Sequence, residues 1–307
     1  MAGAIYEFFG YRAEDPSEAA RLSALAYSCP FLGEICEKRL SRSEVSGACA
    51  IKPVTSQPVI CCPIRLYADN YRVLQIIADE AFGLGQTLVP GGQGRVAAIH
   101  ENKPIVAVFG KHWGGELRLP QKSGHGNYFV DWILAHLTAS GSLDGFVAVE
   151  VQTMDTTGNY QAGREALLND ERSLIKTTVG INWENVSKRI IPQLVYKGRL
   201  LQREKLCHKG IYFVCPQPVF SRILERLGGR DHLPDCPQQP GAIKFLAFDY
   251  MADATVDGTP TPLSVLDDLV TTVSDLQTAF GTVTLPSQNV YQAAIEAALG
   301  SVEPATA

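Results

Sequence analysis

Val147-Ala148-Val149-Glu150-Val151-Gln152-Thr153-Met154-Asp155, written VAVEVQTMD, is the stretch on which the reading of this chain turns. Its first half is small and β-branched, the composition of a buried strand. A carboxylate stands in the middle of it and an amide follows two residues later. Burying a carboxylate is costly unless it is paired or binds a metal. Residues i and i+2 of a strand share a face, so Glu150 and Gln152 are expected to look out together, with Val149 and Val151 opposite.

Two further acids interrupt apolar segments upstream: Glu116 in GGELRL and Asp131 in YFVDWIL. One such acid marks an edge strand or a solvated face; three in succession suggest a shared pocket. Hard cations such as Mg²⁺ take carboxylate oxygens and keep several waters. A cation there would acidify a water, aim it at a phosphodiester and neutralise the displaced oxygen. The chemistry expected is metal-assisted phosphodiester hydrolysis. His112 and His125 flank Glu116 and read as surface loop histidines, and Asp155 reads as a turn-former beside Gly158-Asn159.

The surrounding pattern predicts an α/β fold, a mixed sheet flanked by helices. Strands are expected at 105–110, 115–120, 128–137, 146–153, 209–216 and 243–250. One helix is expected from an Asp15 cap to about Tyr27. Another, capped by Asp69, carries Val73, Ile76, Ile77 and Ala81 and stops at Gly83. Others fall at 160–170, from Trp183 to Tyr196 with a bend at Pro192, at 218–228, at 263–279, and at 287–299 behind a Ser287 cap. LVPGGQGRV at 88–96 predicts a loop and lacks the lysine of a phosphate-binding loop. Three parts follow: residues 1–90 with a cysteine-bearing segment, a core over 91–250, and an acidic helical extension over 251–307.

The net charge of −5 argues against a generic nucleic-acid binder, but the charge is uneven. Residues 245–307 hold eight acids and no Lys or Arg, which leaves 1–244 at +3. Residues 181–210 carry seven bases, Lys188, Arg189, Lys197 and Arg199 among them, against Glu184 and Glu204. That run fits a polyanion partner or a solvated helix face. The N-terminus MAGAIYEFFGYRAEDP lacks the pattern of a secretory signal, so a cytoplasmic protein with reduced cysteines is expected.

Cys29, Cys36, Cys49, Cys61 and Cys62 fall within 34 residues. Four thiolates around one tetrahedral metal would tie down a segment too short to fold alone. Buried free thiols are the other reading, and either Cys61 or Cys62 would complete a set of four. Such a site suits zinc or iron and leaves no open position for water, so its role would be structural.

The 18 residues between Asp131 and Glu150-Val151-Gln152 resemble the PD-(D/E)xK nuclease signature, with Val130 in place of proline and Gln152 in place of lysine. The chain as a whole resembles the NotI and EagI family of type II restriction endonucleases. The likeness covers roughly residues 5–225. It is carried by EFFGYR at 7–12, CPFL at 29–32, CCPIRLYADNY at 61–71, GGEL at 114–117, FVDW at 129–132, EVQTMDTTGNY at 150–160 and INWENVSKRIIPQ at 181–193, and it looks nearer to EagI. The resemblance implies a PD-(D/E)xK core in its ExQ form and a homodimer that cuts double-stranded DNA with Mg²⁺ to leave 5′-phosphates. It places Glu116, Asp131, Glu150 and Gln152 at active-site positions, with Asp131 and Glu150 on the metal. It implies iron, with zinc as the second choice, on Cys29, Cys36, Cys49 and Cys62; Cys62 is preferred because it directly precedes a proline. It implies a GC-rich palindrome built on GGCC, with CGGCCG the first candidate. Lys188, Arg189, Lys197 and Arg199 are then candidates for DNA contact, phosphate before base. The competing reading is a catalytically silent DNA-binding protein of the same fold, against which the three intact acids count.

Overall fold

The computed structural model describes residues 3–41, 43–117, 129–282 and 287–300. The chain opens with a strand absent from the sequence reading, β1 (Gly3–Phe8). With β2 (Tyr11–Arg12), β3 (Ala48–Pro53) and β4 (Val59–Ile60) it forms an antiparallel sheet in the order β2-β1-β3-β4. Helix α1 (Glu18–Leu25) follows β2. Its cap is Ser17, whose side chain accepts from the Ala20 amide, and not Asp15 as expected. Asp15 is buried instead and ties the Ser17 and Gly258 amides.

Helix α2 (Ala68–Phe82) ends at Gly83 as expected, but Asp69 does not cap it. Asp69, Asn70 and Tyr71 adopt left-handed backbone, with φ of 56°, 55° and 61°. Aspartate and asparagine tolerate that region and tyrosine does not. The Tyr71 ring is held there between Tyr67, Trp113 and Trp132, with centroids 5.4–5.6 Å away.

The second sheet has seven strands: β5 (Leu88–Pro90), β6 (Ile105–Gly110), β7 (Trp132–Leu137), β8 (Leu143–Val151), β9 (Ile211–Pro216), β10 (Ala242–Tyr250) and β11 (Leu263–Thr272). They lie in the order β11-β10-β9-β8-β7-β6-β5. The pairs β8/β9, β9/β10 and β5/β6 are parallel and the rest antiparallel. Every residue of β9 and the first seven of β10 are buried. Burial on both faces explains why β9 reads as an unbroken apolar run and β10 as one broken by Lys244 alone over its buried part.

Three expectations fail here. Residues 88–96 form no loop: β5 and a short 3₁₀ turn lead into helix α3 (Gly94–Glu101). Gly94 permits this, since a Cβ there would come within 2.6 Å of Ala107 Cβ on β6. The strand expected at 115–120 does not form over 115–117, and 118–120 lie outside the described residues. Residues 263–272, expected to be helical, are the edge strand β11. Leu263, Leu266 and Leu269 imitate a helical period. Val265, Val270, Thr271 and Thr272 are β-branched, and the edge of β10 was open for pairing. Thr272 then caps α7 (Val273–Gly281) on the Asp275 amide, after helices α4 (Gln161–Leu168), α5 (Ile191–Leu201) and α6 (Gln217–Arg226) earlier in the chain. Helix α8 (Val290–Leu299) forms, preceded by Asn289 in left-handed backbone and not capped by Ser287.

The acidic tail answers the bases of the body. Asp267 pairs with Arg230, Asp268 with Lys244 and Asp257 with Arg12. One ion pair is wholly enclosed: Arg65 Nε lies 2.8 Å from both oxygens of Glu7 on β1, and both side chains are at most 1% exposed. Tyr250, at the end of β10, donates to Glu7 Oε2 at 3.0 Å, and Arg65 also donates to the Thr261 carbonyl. This cluster joins the two sheets. Among the described residues no helix is long and apolar enough to cross a membrane.

Candidate active site

β7 and β8 run antiparallel with Trp132 opposite Val149. Asp131, one residue before β7, therefore faces the last turn of β8, and its Oδ2 accepts from the Val151 amide at 2.8 Å. Glu150 is the neighbour of that amide. The register alone brings together two acids with 18 residues between them. Glu150 is 7% exposed, and its Oε2 is buried with no hydrogen-bond partner. A buried carboxylate oxygen without a donor calls for a proton, a water or a cation.

The electrostatics agree. Burial first, and then Asp131, pushes the Glu150 carboxyl up to about 7, against the pull of Lys197. Asp131 is also raised, by the protein mass behind it and by Glu116, while the Val151 amide and Lys197 pull it down. It keeps solvent on one side. That side is a cavity of about 660 Å³ whose polar lining includes Glu116, Asp131, Lys197 and Arg95, with walls such as Phe109, Ile133 and Leu201. Glu116 is exposed at its rim. Tyr67, which the sequence reading passed over, is buried against the Trp132 ring, with centroids 5.3 Å apart. Burial, Asp131 and Glu150 raise its phenol, so it stays neutral. CCPIRLYADNY had drawn notice for its cysteines, and the tyrosine carried no separate signal.

Gln152 does not join this group. It lies one residue past β8, its Nε2 donates to the Thr153 carbonyl at 2.8 Å, and it does not line the cavity. Lys197, read from sequence as a DNA contact, stands 2.5 Å from Glu150 Oε1 with 18% of its side chain exposed. Its signal was present but faint: on α5 the buried positions are Ile191, Leu194, Gly198 and Leu201, and residue 197, half-buried, borders that stripe.

The other basic candidates are surface groups. Lys188 pairs with Glu184, Arg189 lies 3.2 Å from Asp155, and Arg199 bonds Ser274 and Gln277 near the start of α7. Asp155 also accepts from Asn185 at 2.8 Å, so it anchors the approach to α5 beyond any role in its own turn. That approach is a π-helical turn, Val186–Ile190, ahead of Pro192. Proline lacks an N–H, and the wider turn accommodates it where a bend was expected. His112 is 3.7 Å from Glu37, and His125 lies outside the described residues.

All five clustered cysteines are buried. Burial raises the Cys49 thiol, with Glu7, Cys62, Cys29 and Cys36 adding to it, and burial pushes Cys62 up to about 12. Cys29, Cys36, Cys49 and Cys62 therefore feel one another. Cys61 has its own partner, the Lys38 ammonium 3.0 Å from its sulfur. Four soft thiols suit zinc or iron, and two carboxylates suit a hard cation that fills its shell with water. Among the described residues, however, no three His, Cys, Asp or Glu side chains are arranged to hold a metal ion as they stand.

The family model of restriction endonuclease NotI matches residues 17–235, a span that takes in the carboxylates, Lys197 and the clustered cysteines. No curated protein matches the chain. The match covers well over half of the 307 residues, and the carboxylate-lined cavity falls inside it. The chain belongs to the NotI restriction endonuclease family, and is a type II site-specific deoxyribonuclease.

Proposed function

We propose that the protein cuts double-stranded DNA as a homodimer, at a GC-rich palindrome built on GGCC, by Mg²⁺-dependent hydrolysis that leaves 5′-phosphates. CGGCCG is the first candidate, on the EagI-like stretches, and the cytoplasm is the place of action. The seven-stranded sheet serves as a PD-(D/E)xK core with an ExQ motif. The observation that carries the reading is Glu150 Oε2, buried and partnerless behind Asp131, which itself lines an open cavity. Asp131 and Glu150 hold the cation, and Glu116 at the rim adds negative charge that helps gather it. When bound, Mg²⁺ acidifies a water and neutralises charge on the reacting phosphate. Gln152 orients that water through its amide, which requires its side chain to leave Thr153. The apolar walls exclude bulk water around the phosphate. A palindrome requires one active site per strand, hence two copies about a two-fold axis. Lys188, Arg189 and Arg199 contact phosphates, exchanging Glu184, Asp155 and the α7 partners for DNA. Cys29, Cys36, Cys49 and Cys62 hold iron, or zinc, as a structural tie. Their burial and mutual fields support that reading, and it requires the four sulfurs to draw together.

The test is digestion of unmethylated plasmid and phage DNA, with and without Mg²⁺, followed by run-off sequencing of the ends. Discrete Mg²⁺-dependent fragments ending in one palindrome are expected. Intact DNA, from substrates holding every six- and eight-base palindrome centred on GGCC, would overturn the reading.

A pH dependence follows from Glu150. Its carboxyl rises from an ordinary 4.5 to about 7 in the fold. Between those values the folded protein holds a proton that the unfolded chain has lost, so without a cation this group's stabilising contribution fades as pH rises toward 7. The proton has to leave before the carboxylate takes a cation. The Mg²⁺-induced rise in Tm is therefore expected to be larger at about pH 8 than at about pH 6. A rise that shrinks with pH would remove Glu150 as a ligand.

A further inference from the structure

The Glu150-Val151-Gln152 triplet leaves the site without the lysine of the signature it resembles, and the Gln152 amide is turned onto Thr153. The cavity nonetheless contains an ammonium. Lys197 Nζ is 2.5 Å from Glu150 Oε1, and the same side chain lines the cavity beside Asp131 and Glu116. It comes from another element, helix α5, at the border of that helix's buried face, next to Gly198. A cation at such a position is costly and is retained where it is paired or used. The helix that carries it is firmly placed. Gly198 packs so closely on α7 that a Cβ there would come within 2.3 Å of Val273 Cγ2. Pairing with Glu150 does not exhaust the ammonium, which has three donors. It also does not satisfy Glu150, whose Oε2 stays open.

We propose that Lys197 supplies from helix α5 the cation that the strand motif lacks, donating hydrogen bonds to the attacking water and to a non-bridging oxygen of the scissile phosphate. The inference rests on the hydrolytic reading given above. The water oxygen adds to phosphorus as one of its protons passes to solvent, the P–O3′ bond breaks, and the departing O3′ takes a proton from solvent, so the products are a 5′-phosphate and a 3′-hydroxyl. Lys197 transfers no proton in this scheme. It orients the nucleophile and stabilises the charge that builds on the phosphate.

The experiment compares the parent, Lys197→Met, and Lys197→Met combined with Gln152→Lys, measuring three things. Single-turnover cleavage is measured at saturating Mg²⁺, DNA binding in Ca²⁺, and Mg²⁺ binding by thermal upshift without DNA. Lys197→Met is expected to slow cleavage by about a hundredfold or more, the effect of losing one preorganised donor. DNA binding should stay within about threefold, a single phosphate contact being a small part of the interface. Mg²⁺ should bind this variant more tightly, because no ammonium competes for Glu150. Gln152→Lys should restore about tenfold or more of the lost rate, since it returns one donor to the site. Cleavage by Lys197→Met at the parent rate would overturn the proposal. So would loss of cleavage together with a collapsed Tm and no gain from Gln152→Lys, which would make Lys197 a packing residue. A parent protein that fails to cut at all would instead overturn the hydrolytic reading, and this inference with it.

Discussion

Glu150→Gln is expected to cut DNA about a thousandfold more slowly than the parent, a barrier increase of about 4 kcal/mol. The substitution keeps the shape and removes the charge. Of the two acids that the β7/β8 register brings together, Glu150 is the more enclosed, and its Oε2 has no protein donor. An amide cannot hold a hard cation there, and it leaves Asp131 to do so alone. The fold should tolerate the change, because Asp131 remains as a counter-charge for Lys197. Burial already raises the Glu150 carboxyl, so the charged form is a cost to the folded state that the amide avoids. Tm should therefore hold or rise while cleavage falls, a divergence that a packing defect would not give. The measurement is the rate of plasmid linearisation beside a thermal melt, and a rate within tenfold of the parent would take Glu150 out of the chemistry.

The largest loss of stability is expected from Arg65→Met. Glu7 and Arg65 are completely enclosed and bonded at 2.8 Å through both carboxylate oxygens. Removing one member leaves the other buried without a counter-charge, at about 3–5 kcal/mol. Burial already raises the Glu7 carboxyl, and the Arg65 charge is the main force holding it down. Without Arg65 it would take up a proton and leave Tyr250 and Thr261 short of partners. Pairing Arg65→Met with Glu7→Gln should recover much of the loss, since a neutral pair needs no compensation. Urea unfolding of the parent, the single variant and the double variant measures both quantities. A single variant within about 1 kcal/mol of the parent, the range of an exposed pair, would show that water reaches the cluster.

Where a strand is buried on both faces, as β9 and β10 are, its largely apolar run made it legible. Where one acid interrupts such a run, as at Glu150, the presence of a buried carboxylate was legible too. The misreadings have physical causes. In LSVLDDLVTT the leucine spacing of a helix competes with β-branched residues, and the free edge of β10 decided the outcome. Asp15 and Ser17 both offer a capping oxygen, and the tertiary bond from the Gly258 amide took Asp15 away. Lys197 was hidden by its company: within a run of seven bases its charge pointed to solvent, and only the helical phase of α5 turns it inward. Pairings across long separations, such as Asp131 with the Val151 amide, are set by strand register, which no local window contains.

The Glu7–Arg65 cluster has a consequence for the order in which the protein matures. Glu7 leaves the ribosome long before Tyr250, 243 residues further on, and Thr261 follows later still, and these two complete its enclosure. At about 5–20 residues per second, roughly 10–50 seconds pass before the first sheet can close on the second. Through that interval the half-made enzyme carries an open charge pair where its seam will be. The cell is thus exposed to an assembled DNA-cutting enzyme only after Tyr250 and Thr261 have been made.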